Sequence, residues 1–235
     1  MDFSELSHQT EIRDSLDKIL NEHCSQERLK DYDSNFKHDE NLLSLLSTNG
    51  FLGLGLNEKY GGSGEDLYDL GILFERLGYH AAPLSLSGCL VDVAQTIQKF
   101  SNEESCNEML SSIIAGEVYT SAILEPSNQD PENPITTAKM EDNQLIISGT
   151  KYLSEITSIA KSLLISVNSD EGVLLVLVDS DQVQLTELTS TANSPLFKVE
   201  LDSVRVNRES IIHEKGRGLE ALRYLIQINM VMRSY

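Results

Sequence analysis

The apolar residues of this chain change period near residue 117, and that change restricts the folds open to it. From Ser7, Ile12, Leu16, Ile19 and Leu20 recur at three- and four-residue steps, which places them on one helix face. Leu42, Leu43, Leu45 and Leu46 give Asn41–Leu46 a wider apolar face, and Asn49-Gly50 predicts its C-terminal stop. Phe51–Leu56 is too glycine-rich for a helix and leads into a loop, 57–65, that holds Gly61, Gly62 and Gly64. Leu67–Leu77 predicts a further amphipathic helix closed by Gly78, and another helix is expected around Val91–Ile97. Ser101 with Glu104 three residues on reads as a capping box for a helix running through Met109 to Ile114, with Gly116 as its end.

Beyond residue 117 the runs shorten. Val118–Leu124, Pro134–Met140, Gln144–Ser148, Ser162–Val167, Gly172–Val178, Val183–Leu188 and Leu196–Val206 are rich in Val, Ile, Leu and Thr and are divided by Asn, Asp, Gly and Ser. Glu141-Asp142-Asn143 and Asn168–Gly172 are predicted hairpin turns. Such spacing predicts a β-sandwich or barrel. Helical periodicity returns in Gly216–Tyr235 through Leu219, Leu222, Leu225, Ile226 and Met230. That helix reaches Arg233-Ser-Tyr235 without a cap or polar tail, as in a chain cut inside an element or one that docks elsewhere. The expected fold class is α+β and multidomain: an all-α domain over 1–117, a β domain over 118–212, and the start of a helix over 213–235.

Acidic residues outnumber basic ones 37 to 18, for a net charge of −19. This charge argues against nucleic acid or an anionic membrane as partner. Cys24, Cys89 and Cys106 lack the short spacings of a metal site and read as small core residues of a reduced, cytoplasmic protein. The acidic, amphipathic N-terminus is not a signal peptide, and the apolar runs are too short to span a bilayer. Gly61, Gly62 and Gly64 lack the lysine and the strand–helix context of a phosphate loop, so a plain turn is expected. His80 suits a helix-end cap. Arg205, Arg208, Lys215, Arg217 and Arg223 form the one basic-rich stretch, read as a solvated face in preference to a phosphate-binding one.

Four motifs in order resemble the acyl-CoA dehydrogenases. Glu58-Lys-Tyr-Gly-Gly-Ser-Gly64 with Leu70-Gly-Ile-Leu-Phe-Glu-Arg-Leu-Gly78 is similar to the family's glycine turn and following helix. Glu125-Pro126 resembles the end of its "TEP" strand, although alone it also suits a plain strand end. Leu145-Ile-Ile-Ser-Gly-Thr-Lys151 resembles its "LNGxK" hairpin. Phe197–Val206 with Gly216-Arg-Gly218 resembles its exit from the middle domain. The resemblance implies an N-terminal helical domain, a β middle domain and the first helix of an incomplete C-terminal helical domain.

It further implies FAD, an acyl-CoA thioester as substrate, an electron-transfer flavoprotein as acceptor, and a homo- or hetero-oligomer. Cofactor contacts are carried over to Leu124, Glu125, Pro126, Tyr152, Leu153 and Ser154, and Asp130 is the matching candidate for the substrate pocket. Leu124 stands where the family usually has a threonine hydroxyl, and Glu155 would oppose the negative charge of a reduced flavin. Removing hydrogens from Cα and Cβ of a thioester needs a carboxylate for the α-proton and donors for the enolate-like oxygen. The family takes that carboxylate from its C-terminal domain, so no catalytic base is assigned here. Three readings stay open: an oxidoreductase subunit completed by another segment or partner, a non-catalytic acyl-CoA- or partner-binding subunit, or an inactive fragment.

Overall fold

The computed structural model describes residues 5–35, 38–64, 66–155, 157–190 and 195–234. Helix α1 (Ser7–His23) packs on α4 (Leu67–Tyr79) through the predicted stripe, with Leu16 and Leu20 fully buried. Between them lie α2 (Gln26–Asn35), a polar helix that apolar periodicity alone does not reveal, and α3 (Glu40–Thr48). Asp39 caps α3 by accepting the Leu42 N–H at 2.9 Å, and Gly50 stops it with φ 80°. In the glycine turn, a Cβ on Gly62 would stand 2.1 Å from the Leu56 carbonyl oxygen, so only glycine fits this approach.

Two predicted helix ends move by one to three residues. Gly78 remains helical, because the left-handed position after α4 falls on Ala81 (φ 48°), whose N–H bonds the Gly78 carbonyl at 3.0 Å. The cap of α6 (Glu103–Ile114) is Asn102, which accepts the Ser105 N–H at 2.9 Å. Ser101 instead donates its hydroxyl to the Ile212 carbonyl at 2.7 Å, a tertiary contact invisible to a local motif. The helix expected around Val91 begins as a π-helical turn, Ser87–Val93, and continues as α5 (Ala94–Phe100).

The β region forms one curled mixed sheet. Its strands are β1 (Tyr119–Ala122), β2 (Thr137–Glu141), β3 (Gln144–Glu155), β4 (Ser162–Ser169), β5 (Gly172–Asp179), β6 (Gln184–Leu188) and β7 (Leu196–Asn207). Their order is β1-β4-β2-β3-β7-β6, with β5 on the other side of β4; β1 and β2 run parallel to β4 and the remaining pairs are antiparallel. The β2–β3 hairpin turns on Asp142 (φ 47°) and Asn143 (φ 65°), the paired left-handed geometry that two-residue hairpins favour. Strand β3 does not end at Ser148 as the periodicity predicts; it runs on to Glu155 through two register shifts against β7.

Helices and sheet share a core. On β4, Leu164 joins the helical cluster, whereas Leu163, Ile165 and Val167 face the interior of the curled sheet. Strand β5 divides the same way, Leu175 against Leu174, Val176 and Val178. Both strands are covered on two faces, which explains their near-continuous apolar sequences. Helix α7 (Gly218–Met232) packs across β5 and the π-helical turn, burying Ala221, Leu222, Leu225, Ile228 and Met232. Among the described residues, no helix is long and apolar enough to cross a membrane.

Candidate functional site

The cofactor candidates Leu124, Glu125, Pro126, Tyr152, Leu153 and Ser154 come together where the chain leaving β1 meets the end of β3. Register against β7 shifts between Lys151 and Ser154, and Leu153 sits there at φ 57°. A branched residue in the left-handed region carries strain of ~1–3 kcal/mol, which its surroundings must offset. The shift breaks the in–out alternation. Lys151 and Ser154 turn inward, while Tyr152 (36% exposed) and Leu153 (44%) both face outward. The Tyr152 N–H donates to the Leu124 carbonyl at 2.8 Å, setting Leu124 (48% exposed) beside them. These three exposed side chains, the platform, thus lie at neighbouring backbone positions in an acidic chain.

Glu125 and Ser154, the chain neighbours of Leu124 and Leu153, are buried. The Ser154 hydroxyl donates to the Ser121 carbonyl at 2.8 Å, and Thr120 donates to the Glu155 carbonyl at 2.8 Å, joining β1 to β3 by side chains. Glu125 Oε1 accepts from Lys151 Nζ and the Thr136 N–H, both at 2.8 Å. Its Oε2 accepts from the Ile135 N–H at 2.7 Å and from Asn128 Nδ2 at 2.8 Å. Burial opposes its ionisation, yet these bonds hold the Glu125 pKa down at about 2. Burial also lowers Lys151, to about 8, because the Glu125 carboxylate offsets only part of the lost hydration. Pro126 is exposed at the turn that follows, where Ser127 has φ 62°.

Two more carboxylates lie by the same strands, Glu155 at the end of β3 and Asp92 against Ser121 of β1. Glu155 Oε2 accepts from the Ser85 hydroxyl at 2.6 Å and the Ser87 hydroxyl at 3.1 Å, and Oε1 accepts from Arg233 at 2.8 Å. Burial raises its pKa, but Ser85 and Arg233 outweigh that and hold it below the ordinary range. Asp92 belongs to the π-helical turn and was not flagged by the sequence. It accepts hydrogen bonds from the Ser121 hydroxyl and from Asn229 Nδ2, the latter at 2.6 Å. Burial pushes Asp92 up to about 6, more than the Ser121 and Asn229 hydrogen bonds lower it. Asp130 stays in an exposed loop, where it accepts from the Glu132 N–H at 3.1 Å and from the Asn133 side chain. That loop is tied to α7 by Glu132 and Arg223 at 2.8 Å.

The other sequence candidates resolve as structural groups. His80 closes α4 with Nε2 2.9 Å from Asp17 Oδ1. All five members of the basic stretch face a carboxylate: Arg205 Glu141, Arg208 and Lys215 Glu171, Arg217 Glu220, and Arg223 Glu132. Cys89 and Cys106 are buried, and burial pushes the Cys89 thiol up to about 12. Among the described residues, no cluster of His, Cys, Asp and Glu has the makings of a metal site.

Residues 7–117 match the family described as Acyl-CoA dehydrogenase, N-terminal domain. Acyl-CoA dehydrogenase FadE12 of Mycobacterium tuberculosis is 26% identical over 199 residues, covering 79% of this chain and 51% of its own. A variant of the Tcur3481-Tcur3483 steroid ACAD superposes on 96% of this chain and 61% of its own, with a TM-score of 0.85 and 27% identity. The helical half of the chain thus matches the N-terminal domain of the acyl-CoA dehydrogenases, and the chain is similar to members of that family in sequence and fold. The acyl-CoA dehydrogenase from Geobacillus kaustophilus has the same fold, with a TM-score of 0.88 at 20% identity over 99% of this chain and 65% of its own. The 3-(aryl)acrylate reductase of Clostridium sporogenes is 22% identical over 232 residues, 89% of this chain and 60% of its own. The chain spans about half the length of FadE12. Two of the dehydrogenase-like motifs thereby gain a joint physical meaning, since Glu125 of one and Lys151 of the other are the two halves of a single ion pair.

Proposed function

We propose that this chain forms the helical and β portions, 1–117 and 118–212, of an FAD-dependent acyl-CoA dehydrogenase-like oxidoreductase. The observation that carries this reading is the apolar platform of Leu124, Tyr152 and Leu153 on a family fold. A planar, largely apolar ring suits such a surface, which offers two exposed aliphatic side chains and one aromatic side chain. When bound, the flavin supplies acceptance of a hydride from Cβ of an acyl-CoA thioester. The chain's own residues orient and shield. Leu124, Tyr152 and Leu153 would support the ring, and Arg233 compensates the Glu155 charge.

The α-proton needs a free carboxylate, and Glu125, Glu155 and Asp92 are each committed to internal hydrogen bonds. The base therefore comes from outside these residues, from a further helical segment or a partner in a homo- or hetero-oligomer. An electron-transfer flavoprotein is the proposed acceptor.

Titration with FAD, followed by visible absorption, tests the reading. Saturable binding that weakens in Leu124→Asp is expected; no binding, even with an acyl-CoA present, overturns it. A second reading, a non-catalytic acyl-CoA-binding subunit, is favoured by Leu124, which offers no hydroxyl to a ring, and by the committed carboxylates. Flavin that bleaches on addition of acyl-CoA excludes that second reading.

A further inference from the structure

Among the described ion pairs, Lys151–Glu125 alone has both side chains out of solvent, at 0% and 1% exposure. Stability is a poor reason for such a pair, because an apolar replacement of similar volume is often as stable or more so. Geometry is a better one. Lys151 Nζ reaches Glu125 Oε1 at 2.8 Å, Ser166 Oγ on β4 at 3.0 Å and the Ile123 carbonyl at 3.5 Å. Glu125 in turn takes the N–H groups of Ile135 and Thr136, where the chain enters β2. Four segments of the sheet thus meet at two charges. Close approach of β3 is built in as well, since a Cβ on Gly149 would lie 2.5 Å from Thr136 Oγ1.

The platform is attached directly to this pair. Leu124 precedes Glu125, Tyr152 follows Lys151, and the Tyr152 N–H bonds the Leu124 carbonyl. We propose that Lys151 and Glu125 are positioning residues that set the spacing of Leu124 and Tyr152, and so the fit of the ring held there. The part concerning the ring rests on the flavin reading above; the part concerning the platform does not. An apolar pair would fill the same volume without fixing direction, because dispersion contacts are not directional and hydrogen bonds are.

The test uses the full chain with both charges removed, Lys151→Met with Glu125→Gln, beside the exposed control Lys161→Met with Glu117→Gln. Two readouts are taken: FAD affinity with the visible spectrum of bound flavin, and hydrogen exchange at the Tyr152 amide. In the doubly neutral variant the circular dichroism should stay native, the FAD Kd should rise by about tenfold, and Tyr152 should exchange about tenfold faster. The control should match the wild type in both.

A folded variant with wild-type exchange at Tyr152 overturns the positioning role, whatever happens to flavin. Wild-type protein that takes up no FAD overturns the flavin reading and leaves exchange to decide the positioning role. Should the double variant not fold, Ser166→Ala removes one acceptor of Lys151 while both charges remain. Faster Tyr152 exchange is then expected, and unchanged exchange overturns the proposal.

Discussion

Charge is used in opposite ways in the two halves of this molecule. On the helical side, Arg13 grips Glu75 through two bonds of 2.9 and 2.8 Å, and Asp17 accepts from Arg76 at 2.6 Å and from His80 at 2.9 Å. These groups join α1 to α4 at a partly hydrated surface, alongside the buried Leu16 and Leu20. On the β side, Lys151 and Glu125 sit in the interior and join four segments. The first network supplements an apolar contact that already fixes the helix pair. The second supplies direction at a strand end, where apolar packing leaves register undefined. Water decides the difference, because hydration screens the helical pairs and makes them weak and replaceable, whereas its exclusion makes the buried pair sensitive to loss of one member.

That contrast can be broken most severely at Lys151. Lys151→Met alone leaves Glu125 ionised and buried without its cation, and should cost about 3–5 kcal/mol in urea denaturation. A loss near that of a surface pair would abolish the distinction between the two regions.

Asp92 sharpens the comparison with a buried carboxylate that contacts no cation among the described residues. Its folded pKa of about 6 lies above the ordinary value of 3.8. Native protein therefore binds the proton more tightly than unfolded chain does, and the Asp92 contribution to stability falls as pH rises from about 4 to 6. Above that window the full penalty of the buried charge applies. Asp92→Asn should accordingly be more stable than wild type at neutral pH by on the order of 1–3 kcal/mol, with the difference vanishing toward pH 4. Parallel pH profiles for the two proteins would refute this.

The smallest effect is expected at Asp17. Burial opposes its ionisation, but His80 and Arg76 hold its pKa below the ordinary range. Its stabilisation is present above the unfolded carboxylate pKa and is lost as pH falls through the folded one. Asp17→Asn should cost about 0.5–1 kcal/mol near neutrality, less at high salt. Thermal melts across ionic strength would check this.

Much of the fold is legible where local sterics decide. Asp142-Asn143 is a hairpin turn because those residues tolerate left-handed backbone, and Gly50 ends α3 for the same reason. Reading failed where a distant group intervened. Ser101 has the composition of a cap but bonds Ile212, leaving Asn102 to cap α6. Gly78 has the composition of a stop, yet Ala81 takes the left-handed position. The family-like motifs named two segments that meet at the candidate site but not the inward turn of Glu125 and Ser154, because a bulge at a branched residue has no local signal.

The sequence by itself determined two periods, and hence helices followed by a sheet, because apolar spacing acts within one element. It also determined the turns that join them, since backbone sterics act within a few residues. Only the tertiary structure decided that Lys151 meets Glu125 across 26 positions of chain, and that Tyr152 and Leu153 face outward together. Strand register and burial are set by groups far apart in sequence, and the energy of a charge depends on the water that the assembled fold excludes.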